Sequence, residues 1–80
     1  MKQQLTLLSA PWCSPCNMVK KIAKQRNLLI EVVDIDENPA IALKYGIKSI
    51  PTLLVIENDT VISQQTGNPM KIIEIIEENQ

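Results

Sequence analysis

The apolar run Leu5-Thr6-Leu7-Leu8, the punctuation Ser9-Ala10-Pro11 and the segment Trp12-Cys13-Ser14-Pro15-Cys16 follow one another without a spacer. A compact apolar run stopped by proline has the length of a buried strand followed by a turn. Beyond Cys13, the residues Cys16, Val19, Ile22, Ala23 and Arg26 recur at three- and four-residue steps, with Lys20, Lys21 and Lys24 at other positions. That spacing predicts an amphipathic helix running to about Arg26, with its cations toward the C-terminal end, where the helix dipole favours them. Leu28 to Ile35 is nearly continuously apolar, interrupted by Glu31 and Asp34. It is expected to be a strand covered on both faces, inside the sheet.

The rest of the chain extends this β-α-β start. Asn38-Pro39 offers an N-cap with proline at the first helical position, and Gly46 after Tyr45 a left-handed stop, which encloses a short helix from Pro39 to Tyr45. Ile50 to Ile56 reads as a strand, Glu57-Asn58-Asp59 as a turn and Thr60 to Gln64 as the returning strand of an antiparallel hairpin. Gly67-Asn68-Pro69 opens a last helix, in which Ile72, Ile73 and Ile76 recur at helical rather than strand spacing. The order β-α-β-α-β-β-α implies an α/β fold. A parallel pair is joined by a crossover, the hairpin completes a four-stranded mixed sheet, and three helices cover both of its faces.

Composition narrows the function. Eighty residues, 45% of them hydrophobic, suffice for one domain over residues 1–80 with one small core. With 8 basic against 9 acidic side chains the net charge is −1. A nucleic-acid backbone or an anionic membrane therefore has no electrostatic reason to bind. The chain has no histidine, which excludes Ser-His-Asp and Cys-His nucleophile pairs and a Cys2His2 zinc site. The start Met1-Lys2-Gln3-Gln4 and the short run after it are too brief for a signal-peptide core or a membrane span, so a cytoplasmic protein is expected.

Cys13 and Cys16 are the two cysteines of the chain. Three residues apart at a helix start, they lie close enough to form a disulfide, and closing so short a loop adds little stability, so the bond is suited to exchange rather than stapling. Cys13 sits where unpaired backbone N–H groups and the positive end of the dipole converge, which favours its thiolate. Lower basicity also lowers nucleophilicity, so the net gain in attack rate is only about threefold. The larger advantage is a second thiol one turn away, at high effective concentration. Cys16 continues the apolar row through Val19 and Ala23, whereas Cys13 precedes it at the helix mouth. This assigns Cys13 as the attacking sulfur and Cys16 as the resolving one. Pro15 fits the first turn, which has no use for its missing N–H, and Trp12 offers an apolar surface beside the pair. The bland alternatives are half of a zinc or iron-sulfur site completed by a second chain and, for Trp12, an ordinary packing residue.

Trp12-Cys13-Ser14-Pro15-Cys16, Asp36-Glu37-Asn38-Pro39, Tyr45-Gly46-Ile47 and Ile50-Pro51-Thr52-Leu53 together resemble the thioredoxin family, in its order and spacing over nearly the whole chain. The resemblance implies a thioredoxin fold without the family's extra N-terminal strand and helix. It also implies a cis Pro51 against the disulfide, an Ile50 backbone that pairs with an extended substrate segment, and Gly67 in the same groove. Trp12, Ile50, Pro51 and Gly67 would bind substrate, with Ser14 and Pro15 in the active-site loop. The implied activity is reduction of protein disulfides by a monomer that holds no cofactor and is recycled by a flavin-dependent thioredoxin reductase. Two departures stand out: the family's buried aspartate and its companion lysine are Leu7 and Val32 here. A glutathione-dependent glutaredoxin is the nearest rival, although Pro15 occupies the place of its usual tyrosine. A module that docks partners in the same groove without turnover is the other.

Overall fold

Strand β1 (Gln3–Ser9) lies between two neighbours, and the burial of its second half follows from that position. In the computed structural model, which describes residues 3–80, it is followed by α1 (Ser14–Gln25), β2 (Glu31–Asp34), α2 (Pro39–Lys44), β3 (Thr52–Glu57), β4 (Thr60–Thr66) and α3 (Pro69–Glu78). The expected element order is the observed one. The reading of the chain's start rests partly on Met1 and Lys2, which lie outside the described residues.

The four strands form one mixed sheet in the order β2-β1-β3-β4. β1 runs parallel to β2, with Leu7 opposite Val32, and antiparallel to β3, with Leu7 opposite Leu53. β3 and β4 form the hairpin, and its two turn residues, Asn58 and Asp59, both adopt positive φ. Such values at both central positions suit the right-handed twist of the flanking strands, and Asn and Asp tolerate them best after glycine.

Period-two alternation sorts the two central strands between the faces of the sheet. Leu5 and Leu7 of β1 and Leu53 and Val55 of β3 pack with Val19 of α1 and Ile72, Ile73 and Ile76 of α3. Leu8, Leu54 and Ile56 turn the other way and meet Ile41 and Tyr45 around α2. Helices thus cover both faces, as the apolar pattern required. Asn68 caps α3 by accepting the Lys71 N–H on its side chain, at 3.2 Å. Asn38 makes no such bond to α2, although Pro39 and Gly46, at φ +65°, bound that helix as expected.

One expectation is overturned. The segment Leu28–Ile35 is not an interior strand: only Glu31–Asp34 is extended in the ladder, and it forms an edge of the sheet. Val33 alone faces the core from this strand, while Val32 is 44% exposed. The high apolar content arises because Leu28 and Ile30 pack against the core ahead of the strand, and Ile35 does so beyond it.

Ile72 is fully buried, whereas Leu43 is 83% exposed. Ile72→Ala should therefore lower the unfolding free energy by about 2–5 kcal/mol, and Leu43→Ala should change it by less than about 0.5 kcal/mol. Urea unfolding followed by circular dichroism reads both.

Candidate active site

The loop from Ala10 to Cys13 is closed by a hydrogen bond from the Cys13 N–H to the Ala10 carbonyl, at 3.1 Å. This delivers Cys13 in an extended conformation to the N-cap of α1. Its Sγ accepts the backbone N–H of Cys16 at 3.3 Å, the place that a serine or aspartate oxygen takes in an ordinary cap. Pro15 falls in the first turn, where backbone N–H groups have no helical carbonyl to bind. Asn17 ties the helix back to the loop through its side-chain amide, which donates to the Pro11 carbonyl at 3.1 Å.

Cys13 and Cys16 are joined by a disulfide, with their Cα atoms 5.3 Å apart. Their exposures differ in the direction that the sequence suggested: Cys13 retains 6% of its surface and Cys16 none. The pair sits in a small apolar cluster with Ala10, flanked by Ile35 and Ile50. Those same two isoleucines also pack against the core beneath α2, so the disulfide is continuous with the interior of the fold. Leu7, where the resemblance leads one to expect a buried aspartate, is fully buried in the main core. Among the described residues, no group of three or more His, Cys, Asp or Glu gathers closely enough to hold a metal ion.

A pocket of about 320 Å³ opens beside the cluster, lined by Trp12, Ile35, Ile47, Lys48, Ser49 and Ile50. Trp12 is 67% exposed but not loose, because its indole N–H donates to Asp36 Oδ2 at 2.8 Å. The Asp36 backbone N–H in turn donates to Asp34 Oδ1, also at 2.8 Å. Trp12 is therefore a pocket wall rather than an ordinary packing residue. The Ile50-Pro51 peptide is cis, and Pro51 is buried. The Ile50 backbone has no hydrogen-bond partner among the described residues. Ser14 is an exposed member of the first turn of α1. Gly67 does not line the pocket. Its N–H donates to the Pro51 carbonyl at 2.9 Å, so it braces the proline from behind, at φ +91°.

The structure brings together Trp12, Cys13, Cys16 and Ile50, which the sequence had grouped, and sets Ile35, Asp36, Ile47, Lys48 and Ser49 beside them, which it had not. Asp36 was visible only as part of an Asp-Glu-Asn-Pro string. Nothing local in the sequence says that β2 delivers it to the indole.

A disulfide at a helix mouth, beside a cis-proline loop on a four-stranded sheet with helices on both faces, defines a class of dithiol-disulfide α/β proteins. The thioredoxin family profile matches residues 1–78, and the chain belongs to that family. It is 41% identical over 64 residues to the thioredoxin of Bacillus subtilis, an alignment covering 72% of this chain and 62% of that one. It is 46% identical over 63 residues to thioredoxin 1 of Synechococcus elongatus, covering 66% and 59% respectively. The chain thus spans about six tenths of the length of these curated relatives. Among solved structures, the thioredoxin of Malassezia sympodialis superposes with a TM-score of 0.82 at 27% identity, covering 98% of this chain and 75% of the other. That of Fasciola hepatica gives 0.77 at 26% identity, covering 99% and 82%.

Trp12 is the sole tryptophan, so its fluorescence reports this wall alone. Asp36→Leu should shift its emission and increase its quenching by acrylamide, whereas Asp36→Asn, which keeps an acceptor oxygen, should shift it less. Equal spectra for all three proteins would show that the bond does not hold the indole in solution.

Proposed function

We propose that this chain is a thiol-disulfide oxidoreductase that reduces disulfides in other proteins through Cys13 and Cys16. The observation that carries this reading is the Cys16 N–H aimed at Cys13 Sγ. In the reduced protein the same donor, with the dipole behind it, favours a thiolate on Cys13. That thiolate attacks one sulfur of a substrate disulfide; a Cys13 mixed disulfide forms and the first substrate thiolate departs. Cys16 loses its proton and attacks Cys13 Sγ, the intramolecular bond closes and the second substrate thiolate leaves. Two electrons pass to the substrate for each disulfide formed in the protein. The complete burial of Cys16 against the slight residual exposure of Cys13 supports this division of roles.

Trp12, Ile50 and Pro51 supply the substrate surface, with the free Ile50 backbone available to an added strand, and Ser14 and Pro15 shape the loop between the sulfurs. Gly67 acts indirectly, through its bond to Pro51. The electron source is a flavin-dependent thioredoxin reductase, the chain itself holding no cofactor. The protein works as a monomeric domain in the cytoplasm. Among the described residues, no helix is long and apolar enough to cross a membrane.

Insulin reduction with dithiothreitol tests the assignment. Cys13→Ser should abolish turnover, and Cys16→Ser should accumulate a mixed disulfide detectable by mass spectrometry. Undiminished activity in both variants would overturn the enzyme reading. A second test concerns the proton on Cys16. The sulfur lies among apolar residues, and Leu7 replaces the carboxylate that the family places nearby. Its proton must leave to water or to the departing thiolate. Resolution of a preformed Cys13 mixed disulfide should therefore accelerate about tenfold per pH unit below the thiol range, without a plateau at the pH of a carboxylate. Stopped-flow measurement of thiol release gives the profile.

A further inference from the structure

The pocket beside the disulfide is apolar on three sides and carries one cation. Ile35, Ile47 and Ile50 supply aliphatic surface, and Lys48 lies on the loop between Gly46 and the cis-proline. Two other charged groups of the neighbouring segments have partners on the chain. Asp36 accepts the Trp12 indole, and Lys44 sits over the Tyr45 ring, its Nζ 5.3 Å from the centroid. Among the described residues the ion pairs are Arg26 with Glu77 and Lys71 with Glu74. Lys48 belongs to neither and is exposed. A cation without a partner, at the rim of an apolar recess next to a reactive sulfur, is an electrostatic mismatch that an incoming carboxylate would complete.

The volume, about 320 Å³, lies at the small end of ligand pockets, roughly 300–1,000 Å³, a size for a side chain or two rather than a bulky cofactor. The occupant must also bring a disulfide to Cys13, and the unpaired Ile50 backbone suits an extended chain. Resting on the oxidoreductase reading above, we propose that Lys48 is a specificity-determining residue. It selects disulfide-bearing protein segments in which an apolar side chain beside the reacting cysteine fills the pocket and a neighbouring carboxylate meets the Lys48 ammonium. Because Lys48 is exposed, its contribution to selection is modest and salt-sensitive: an exposed ion pair changes an equilibrium by roughly two- to fivefold.

The test uses the pre-reduced full chain and two short peptides, each joined through its one cysteine to 2-mercaptoethanol. Both have leucine beside the cysteine, and they differ only in Glu or Lys at the next position. Each turnover breaks the S–S bond of the peptide conjugate and forms the Cys13–Cys16 bond. Two electrons and two protons pass to the released peptide thiol and 2-mercaptoethanol. The neutral disulfide of 2-mercaptoethanol, run in parallel on the wild-type protein, reports the exchange chemistry alone. At low salt the Glu peptide should react about threefold faster than the Lys peptide, and the preference should shrink toward unity near about 0.5 M salt. Lys48→Arg should keep the preference and Lys48→Glu should reverse it, with circular dichroism establishing that each variant is folded. Equal rates for the two peptides on the wild type, or an unchanged ratio in Lys48→Glu, would overturn the role of Lys48 and leave the exchange activity standing. Failure of the wild type to reduce the neutral disulfide would overturn the oxidoreductase reading itself, and this proposal with it.

Discussion

The hydrogen bond from the Cys16 N–H to Cys13 Sγ joins the local structure of α1 to the chemistry of the site. A helix start leaves backbone donors without partners, and the chain satisfies one of them with sulfur. The capping atom is therefore also the reactive atom. Whatever fixes the first turn of α1, from Pro15 inside it to Asn17 clamped on the Pro11 carbonyl, also fixes the donor that faces the sulfur. Deeper along the same helix, Val19 anchors the turn to the core beneath the sheet, so the geometry at the mouth of α1 is held by packing as well as by the cap.

The two positions that depart from the family are linked by register. Leu7 and Val32 are direct partners in the parallel ladder between β1 and β2. Their environments nonetheless differ, since Leu7 is fully buried and Val32 is 44% exposed. An aspartate at position 7 without a nearby cation would be an orphaned buried charge, several kcal/mol in cost before relaxation. A lysine at position 32 without its partner would keep its ammonium in water. The energetic constraint thus acts mainly on position 7: once leucine stands there, nothing electrostatic holds a lysine at position 32. The core around position 7 is apolar and the sheet keeps its register, and position 7 offers no carboxylate to take the Cys16 proton.

Element order and helix ends were legible because each rests on local rules: proline after asparagine at a helix start and a glycine, here at φ +65°, at a helix end. The edge position of β2 was not. Apolar density in Leu28–Ile35 measures how many side chains are covered, not by what, and here the residues flanking a four-residue strand do most of the packing. Strand order is a long-range property: β3 takes the other side of β1 and leaves β2 outside. The site was legible to the same degree. The sulfurs and Trp12 are contiguous in sequence, whereas the opposite wall comes from the loop before Pro51, and the group that orients the indole comes from the residues just after β2.

Ile35 and Ile50 explain how these separate segments act as one site. Each packs against the disulfide cluster, contributes to the core under α2 and forms part of the pocket surface. Their aliphatic side chains therefore cover one side of the sulfurs and line an apolar recess on the other. A site built this way separates two requirements. In the proposed exchange, reactivity rests on the backbone donor that faces Cys13 Sγ at the helix mouth. In the same proposal selectivity rests on the far wall, where side chains such as Lys48 line the pocket. Changes on the loop between Gly46 and Pro51 then alter the far wall of the pocket while the cap at Cys13 stays as it is.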